Sequence, residues 1–107
     1  MFARILEYDV NLEKKDEFLR MVKNEIVPIL KKQTGFLEVL PFFEDIRPER
    51  VVTISLWNDR RDVEKYERET FYRVHEIMKP FLKTPIQVRP FVLEASICQH
   101  FVQAMAA

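Results

Sequence analysis

Residues 51–78, VVTISLWNDRRDVEKYERETFYRVHEIM, decide how this chain is read. Val52, Ile54 and Leu56 alternate with Val51, Thr53, Ser55 and Trp57, the two-residue period of a β-strand. The alternation stops at Asn58-Asp59, and either side chain suits the cap of a helix N-terminus. Val63, Tyr66, Thr70, Val74 and Ile77 then recur at steps of three and four, the mark of a helix with one apolar stripe. Glu69-Thr70 loosens that helix midway. Pro80 ends its regular part, because proline has no amide for the next turn.

Working outward, Phe36 to Glu44 forms a second strand, joined to the third, Glu49 to Trp57, by the short turn Glu44-Asp45-Ile46-Arg47-Pro48. So short and polar a connection favours an antiparallel pair. The aliphatic face Val52, Ile54, Leu56 is expected to pack on helices. Phe36, Leu40 and Phe42 fall on one side of the second strand, and Leu37, Val39 and Phe43 on the other. A sheet that is apolar on both faces needs two covers, so the second is expected from another copy of the chain.

Phe2 to Val10 reads as the first strand. Its two faces, Phe2/Arg4/Leu6/Tyr8 and Ala3/Ile5/Glu7/Asp9, both mix apolar and polar residues, and the pattern does not orient them. Asn11 is a suitable cap for a helix running to Gln33, with Phe18, Val22, Ile26, Ile29 and Leu30 as its stripe and Leu19 and Met21 beside it. Pro28 should kink or split it near Val27. Gly35, the only glycine, supplies the left-handed stop. The last strand is expected over Ile86 to Ile97, with Pro90 demanding an edge or a bulge. The order β-α-β-β-α-β predicts an α+β, ferredoxin-like domain over residues 1–97, followed by a short tail, 98–107. In that fold a four-stranded antiparallel sheet carries both helices on one face.

The chain has 107 residues, of which 48% are hydrophobic and 32% charged, enough for a core without disulfide or metal support. Seventeen basic residues balance seventeen acidic ones, with no basic block, which argues against nucleic-acid and membrane partners. The opening MFARILEYDV lacks the apolar run of a secretory signal, and no segment approaches a membrane span, so a cytoplasmic protein is expected. Cys98 is the single cysteine, His100 has no companion at ligand spacing, and no glycine-rich loop is present. These features point away from metal and nucleotide cofactors.

The candidate chemistry sits in the opening stretch. Histidine is the side chain that titrates nearest neutral pH, which makes His75 the general-base candidate. Its other reading is a partly exposed helical histidine bonded to water. Tyr66 either places its hydroxyl in a cavity between helix and sheet or is a core residue. Trp57 reads as packing, interface or pocket lining. Glu7 would be a pocket group on an inward face and unremarkable on an outward one.

Ile26-Val27-Pro28, Gly35-Phe36-Leu37, Val52-Thr53-Ile54-Ser55-Leu56-Trp57-Asn58 and Glu69-Thr70-Phe71, in this order and spacing, resemble the antibiotic biosynthesis monooxygenase family over roughly residues 1–95. The resemblance implies a dimeric α+β barrel, a homodimer whose sheets pack face to face. For the enzymatic branch it also implies oxygenation of a small aromatic molecule, such as a quinol or polyketide, without metal or flavin. On that reading the deprotonated substrate itself reduces oxygen, and the protein supplies pocket, orientation and base. His75 and Tyr66 would bind or deprotonate it, with Trp57, Phe42, Glu7 and Phe71 as further substrate contacts. A non-catalytic dimer binding a hydrophobic ligand is the alternative. The third reading is a second branch of the family, which binds and degrades heme using an asparagine on strand one and a tryptophan and a histidine in helix two. Here Tyr66 stands in the tryptophan's place, His75 fits the histidine only with a one-residue gap, and strand one offers Glu7 or Tyr8.

Overall fold

A computed structural model describes residues 1–98. Its strands are β1 (Phe2–Asp9), β2 (Phe36–Phe43), β3 (Arg50–Trp57) and β4 (Gln87–Val92). They form one antiparallel sheet in the order β2-β3-β1-β4. Between β1 and β2 lie α1 (Lys15–Met21), a π-helical turn (Val22–Ile26) and α2 (Val27–Lys31). Between β3 and β4 lie α3 (Arg60–Glu69) and α4 (Phe71–Met78), closed by a 3-10 turn at Lys79–Phe81. The predicted α+β, ferredoxin-like architecture is the one observed.

The register orients β1. Phe2, Leu6 and Tyr8 stand opposite Trp57, Thr53 and Val51, and they join Phe18, Ile26, Val63 and Val74 of the helices in one core. Two expectations are corrected here. The face of β3 under the helices is Val51, Thr53, Ser55 and Trp57, while Val52, Ile54 and Leu56 point to the open side and belong to no part of that core. The mixed face can be buried because its polar groups are satisfied within it. Trp57 donates from its indole N–H to Ser55 Oγ at 2.9 Å, and the Tyr8 and Thr53 hydroxyls share a bond of 3.0 Å. The indole also carries the largest apolar surface of the strand.

The second correction concerns β2. Phe36 faces Trp57 but Glu38 faces Leu56, so one residue is extra between them. This β-bulge breaks strict alternation. It puts Phe36 on the helix side with Val39 and Phe43, and leaves Leu40 and Phe42 on the open side.

Asn11 caps the first helical segment, accepting from the Glu13 amide at 3.1 Å. Pro28 does split the helix near Val27, and the split takes the form of a π-turn: the Val27 amide reaches back five residues to the Val22 carbonyl. Because Pro28 has no amide to give, widening the turn before it costs less than an abrupt break. In the second helix, Asp59 accepts from the Arg61 amide at 2.6 Å, and the chain breaks at Thr70. The Thr70 hydroxyl donates to Gln33 Oε1 at 3.4 Å, tying the two helical segments together. At the far edge β4 stops at Val92, short of the expected Ile97. Val92 already faces Phe2, the first residue of β1, so the strand has run out of partner. Pro90 lies in this edge strand, where one missing amide is tolerated. His100 and the rest of the tail, 99–107, lie outside the described residues.

Gly35 has φ +79°, and its carbonyl accepts from the Asn58 amide at 2.8 Å. A Cβ there would also run into the Asp62 side chain. Gly35→Ala should therefore lower stability by about 1–2 kcal/mol. The check is a lower urea midpoint at unchanged slope; an unmoved midpoint would contradict it.

Candidate active site

A cavity of about 450 Å³ lies between the sheet and the helices. Its floor is Arg4, Leu6 and Tyr8 of β1 with Thr53 and Ser55 of β3. Tyr66, Val74 and Met78 wall one side, and Phe18, Val22, Ile26 and Leu30 wall the other. The exposed residues Leu19, Lys23, Lys31, Glu38 and Pro41 form its mouth, between the first helix and the edge strand β2. The π-turn and the β2 bulge thus border the same opening. Size and lining suit a small, largely apolar molecule.

Polar groups in the cavity are few. Arg4 is 3% exposed, and its Nε donates to Glu67 Oε1 at 2.9 Å. The guanidinium carbon sits 3.9 Å from the Phe71 ring centroid and 5.4 Å from that of Tyr66. Such stacking is how a buried arginine keeps favourable electrostatics without water. Tyr66 is 3% exposed, and its phenol is pushed up to about 12 by burial, with the Arg4 charge pulling the other way. Its hydroxyl makes no hydrogen bond among the described residues. Among the described residues no fully enclosed side-chain oxygen lacks a partner, so this hydroxyl borders open space. Tyr8 is likewise pushed up to about 12 by burial, against a smaller lowering from its bond to Thr53. Both phenols are neutral donors at ordinary pH.

Of the six residues singled out from sequence, Tyr66 alone lines the cavity. Trp57 is fully buried behind it, packed on Phe36 and Tyr66 at centroid distances of 5.4 and 5.0 Å. Phe71 backs the Arg4 guanidinium. His75 is half-buried beside Phe71, 6.2 Å ring to ring, and does not reach the cavity. Val74 and Met78 hold the inward positions of α4, and His75 is one residue, about 100°, past Val74. Glu7 and Phe42 lie on the open face. Glu7 pairs with Arg50 at 3.0 Å and Arg89 at 3.6 Å, and Phe42 is 52% exposed.

Arg4 is the residue that sequence reading passed over. Its signal was a lone cation alternating with Phe2, Leu6 and Tyr8 on a strand face that those three bury. No histidine among the described residues lines this cavity. Among the described residues, no cluster of three His, Cys, Asp or Glu side chains offers a metal site, and no helix is long and apolar enough to cross a membrane.

The open face carries Ile5, Val52, Ile54, Leu40, Phe42 and Phe91, with Glu7, Asp9, Arg50 and Arg89 grouped at one end. The buried residues of α1 to α4 belong to the core on the other face.

The sequence of residues 1–76 matches the family model for antibiotic biosynthesis monooxygenase. The fold is similar to a solved antibiotic biosynthesis monooxygenase at 20% identity and TM-score 0.69, over 87% of this chain and 98% of that one. It is similar to a conserved protein from Methanosarcina mazei at 20% identity and TM-score 0.70, over 85% and 91%. SnoaB, a cofactor-independent oxygenase from Streptomyces nogalater, matches at 14% identity and TM-score 0.65, over 87% and 92%. At such identities the structures speak for the fold. No curated protein matches the chain.

Proposed function

Since the chain belongs to the antibiotic biosynthesis monooxygenase family, we propose that it is a cofactor-independent monooxygenase acting on a small electron-rich aromatic or quinol substrate held in the cavity. One observation carries this reading: an apolar cavity of about 450 Å³ into which an unbonded tyrosine hydroxyl and a buried arginine reach. The chemistry suited to such a site needs little from the protein. A substrate carbanion or phenolate passes electrons to dioxygen; one oxygen atom enters the substrate and the other leaves as water. Oxidation of a ring methylene to a carbonyl supplies the four electrons this requires. The chain excludes water, orients the ring and donates a hydrogen bond from neutral Tyr66 to the substrate oxygen. With its phenol held near 12, Tyr66 is a donor rather than a base at neutral pH. His75 lies off the cavity wall, beside Phe71.

Oxygen uptake with a panel of hydroquinones and anthrones tests this. Tyr66→Phe should lower kcat/KM about tenfold, the worth of one hydrogen bond made in the transition state. His75→Ala should leave it within about twofold. Uptake no faster than buffer across the whole panel would sink the enzyme reading.

A second reading rests on the same walls: among the described residues no histidine lines the cavity, and the one carboxylate, Glu38, is at the mouth. On that reading the protein holds an aromatic ligand without turning it over. Binding without oxygen consumption is its signature. In either case we propose that the open sheet face is covered by a second copy of the chain, making a homodimer.

A further inference from the structure

We propose that Arg4 makes the cavity selective for aromatic molecules carrying an ionised phenolic oxygen, binding that oxygen directly at its free edge. The inference deepens the reading of the cavity as a ligand site and rests on it.

Arg4 is one of the least exposed charged side chains, yet its hydrogen bonding is incomplete. Glu67 takes only Nε, and that carboxylate is itself 42% exposed. Phe71 covers one face of the guanidinium. The two Nη groups make no hydrogen bond among the described residues. Among the described residues no enclosed side-chain nitrogen lacks a partner, so these groups border open space, and the space Arg4 borders is the cavity. A guanidinium edge facing a mostly apolar cavity gains charge-assisted bonds from an anion that completes it. The unbonded Tyr66 hydroxyl, on the ring next to the guanidinium, offers the same oxygen a second donor.

The surrounding charges agree. The whole chain has zero net charge, yet among the described residues the cavity is lined by Arg4, Lys23 and Lys31 against Glu38, with Glu67 behind Arg4. A neutral aromatic would use the apolar walls and leave the cationic edge unmet. A phenolate uses both. The site should therefore shift a bound phenol toward its ionised form, releasing the proton to solvent.

4-Nitrophenol, whose phenolate absorbs visible light, and its methyl ether 4-nitroanisole make the test. The protein should bind the phenolate at least about tenfold more tightly than the ether and lower the pKa of the bound phenol by about one unit. Arg4→Met should abolish both differences while leaving ether affinity within about twofold. Glu67→Gln removes the half-exposed counter-charge and should tighten phenolate binding severalfold, an effect opposite in sign to a loss of structure. Should Arg4→Met fail to fold, Glu67→Gln decides alone. Equal affinity for phenol and ether with no pKa shift, or no response to Glu67→Gln, overturns the role of Arg4 and leaves the cavity as a ligand site. Failure of both probes to bind overturns the ligand site and the Arg4 inference together.

Discussion

Raising the pH from 10 to 12 is expected to remove about 4 kcal/mol of folding stability, through two tyrosines. Tyr8 and Tyr66 are both pushed up to about 12 in the folded chain, chiefly by burial, from an ordinary value of 10. Below pH 10 both states keep their phenolic protons, and the contribution is fully present. Between 10 and 12 the unfolded chain loses protons that the folded chain still holds, so stability falls as pH rises. It is gone above the folded value. Each shift corresponds to roughly 2–3 kcal/mol, and the phenols are too buried for solvent screening to cancel that. Urea midpoints at pH 9 and 11 give the measurement. Tyr66→Phe should remove about half of the alkaline loss, and Tyr8→Phe a similar share. If both variants lose stability as steeply as the native chain, the tyrosines are not the cause.

The second large effect concerns the proposed dimer. Ile54 lies at the centre of the open face, opposite Ile5 on one side and Leu40 on the other. In a symmetric dimer Ile54→Asp buries two unpaired carboxylates. At about 2–3 kcal/mol each, they should raise the dissociation constant by roughly a thousandfold or more. Light scattering at micromolar concentration should give twice the chain mass of 12.9 kDa for the native protein and the single mass for the variant. Its helical signal should persist, because Ile54 is outside the helix-side core. A native protein that already runs as a single chain would end the dimer proposal.

What could be read from sequence depended on how local the physics was. Asn11, Pro28, Gly35, Asp59 and Pro80 act on their own backbone neighbours, and the structure places a cap, split, stop, cap and end where their chemistry asks for them. The facing of the sheet is a tertiary matter. Thr53 and Ser55 look like surface residues until Tyr8 and Trp57 are seen to satisfy them. The bulge after Phe36 then reverses the alternation of β2 without any glycine or proline to announce it. For the site, the apolar stripe located Tyr66 correctly. His75 missed the cavity by one helical step, a distance that periodicity alone does not resolve. Arg4 was hidden because a solitary arginine in a strand usually belongs to the solvent side, and its partners are more than sixty residues away.

The charges of β1 bear on how the chain finds its register. The inward face of this central strand carries a cation, Arg4, and no carboxylate; the outward face carries Glu7 and Asp9 and no cation. Slipping β1 by a single residue would push both acids into the apolar interior and strand the guanidinium on the far side. It would also break the pairs that Arg50 makes with Glu7 and Asp9. Mispaired chains therefore meet a desolvation penalty as the interior closes. The sorting of charge that shapes the cavity floor thus also guides assembly, penalising wrong pairings of the strand on which both neighbouring strands depend.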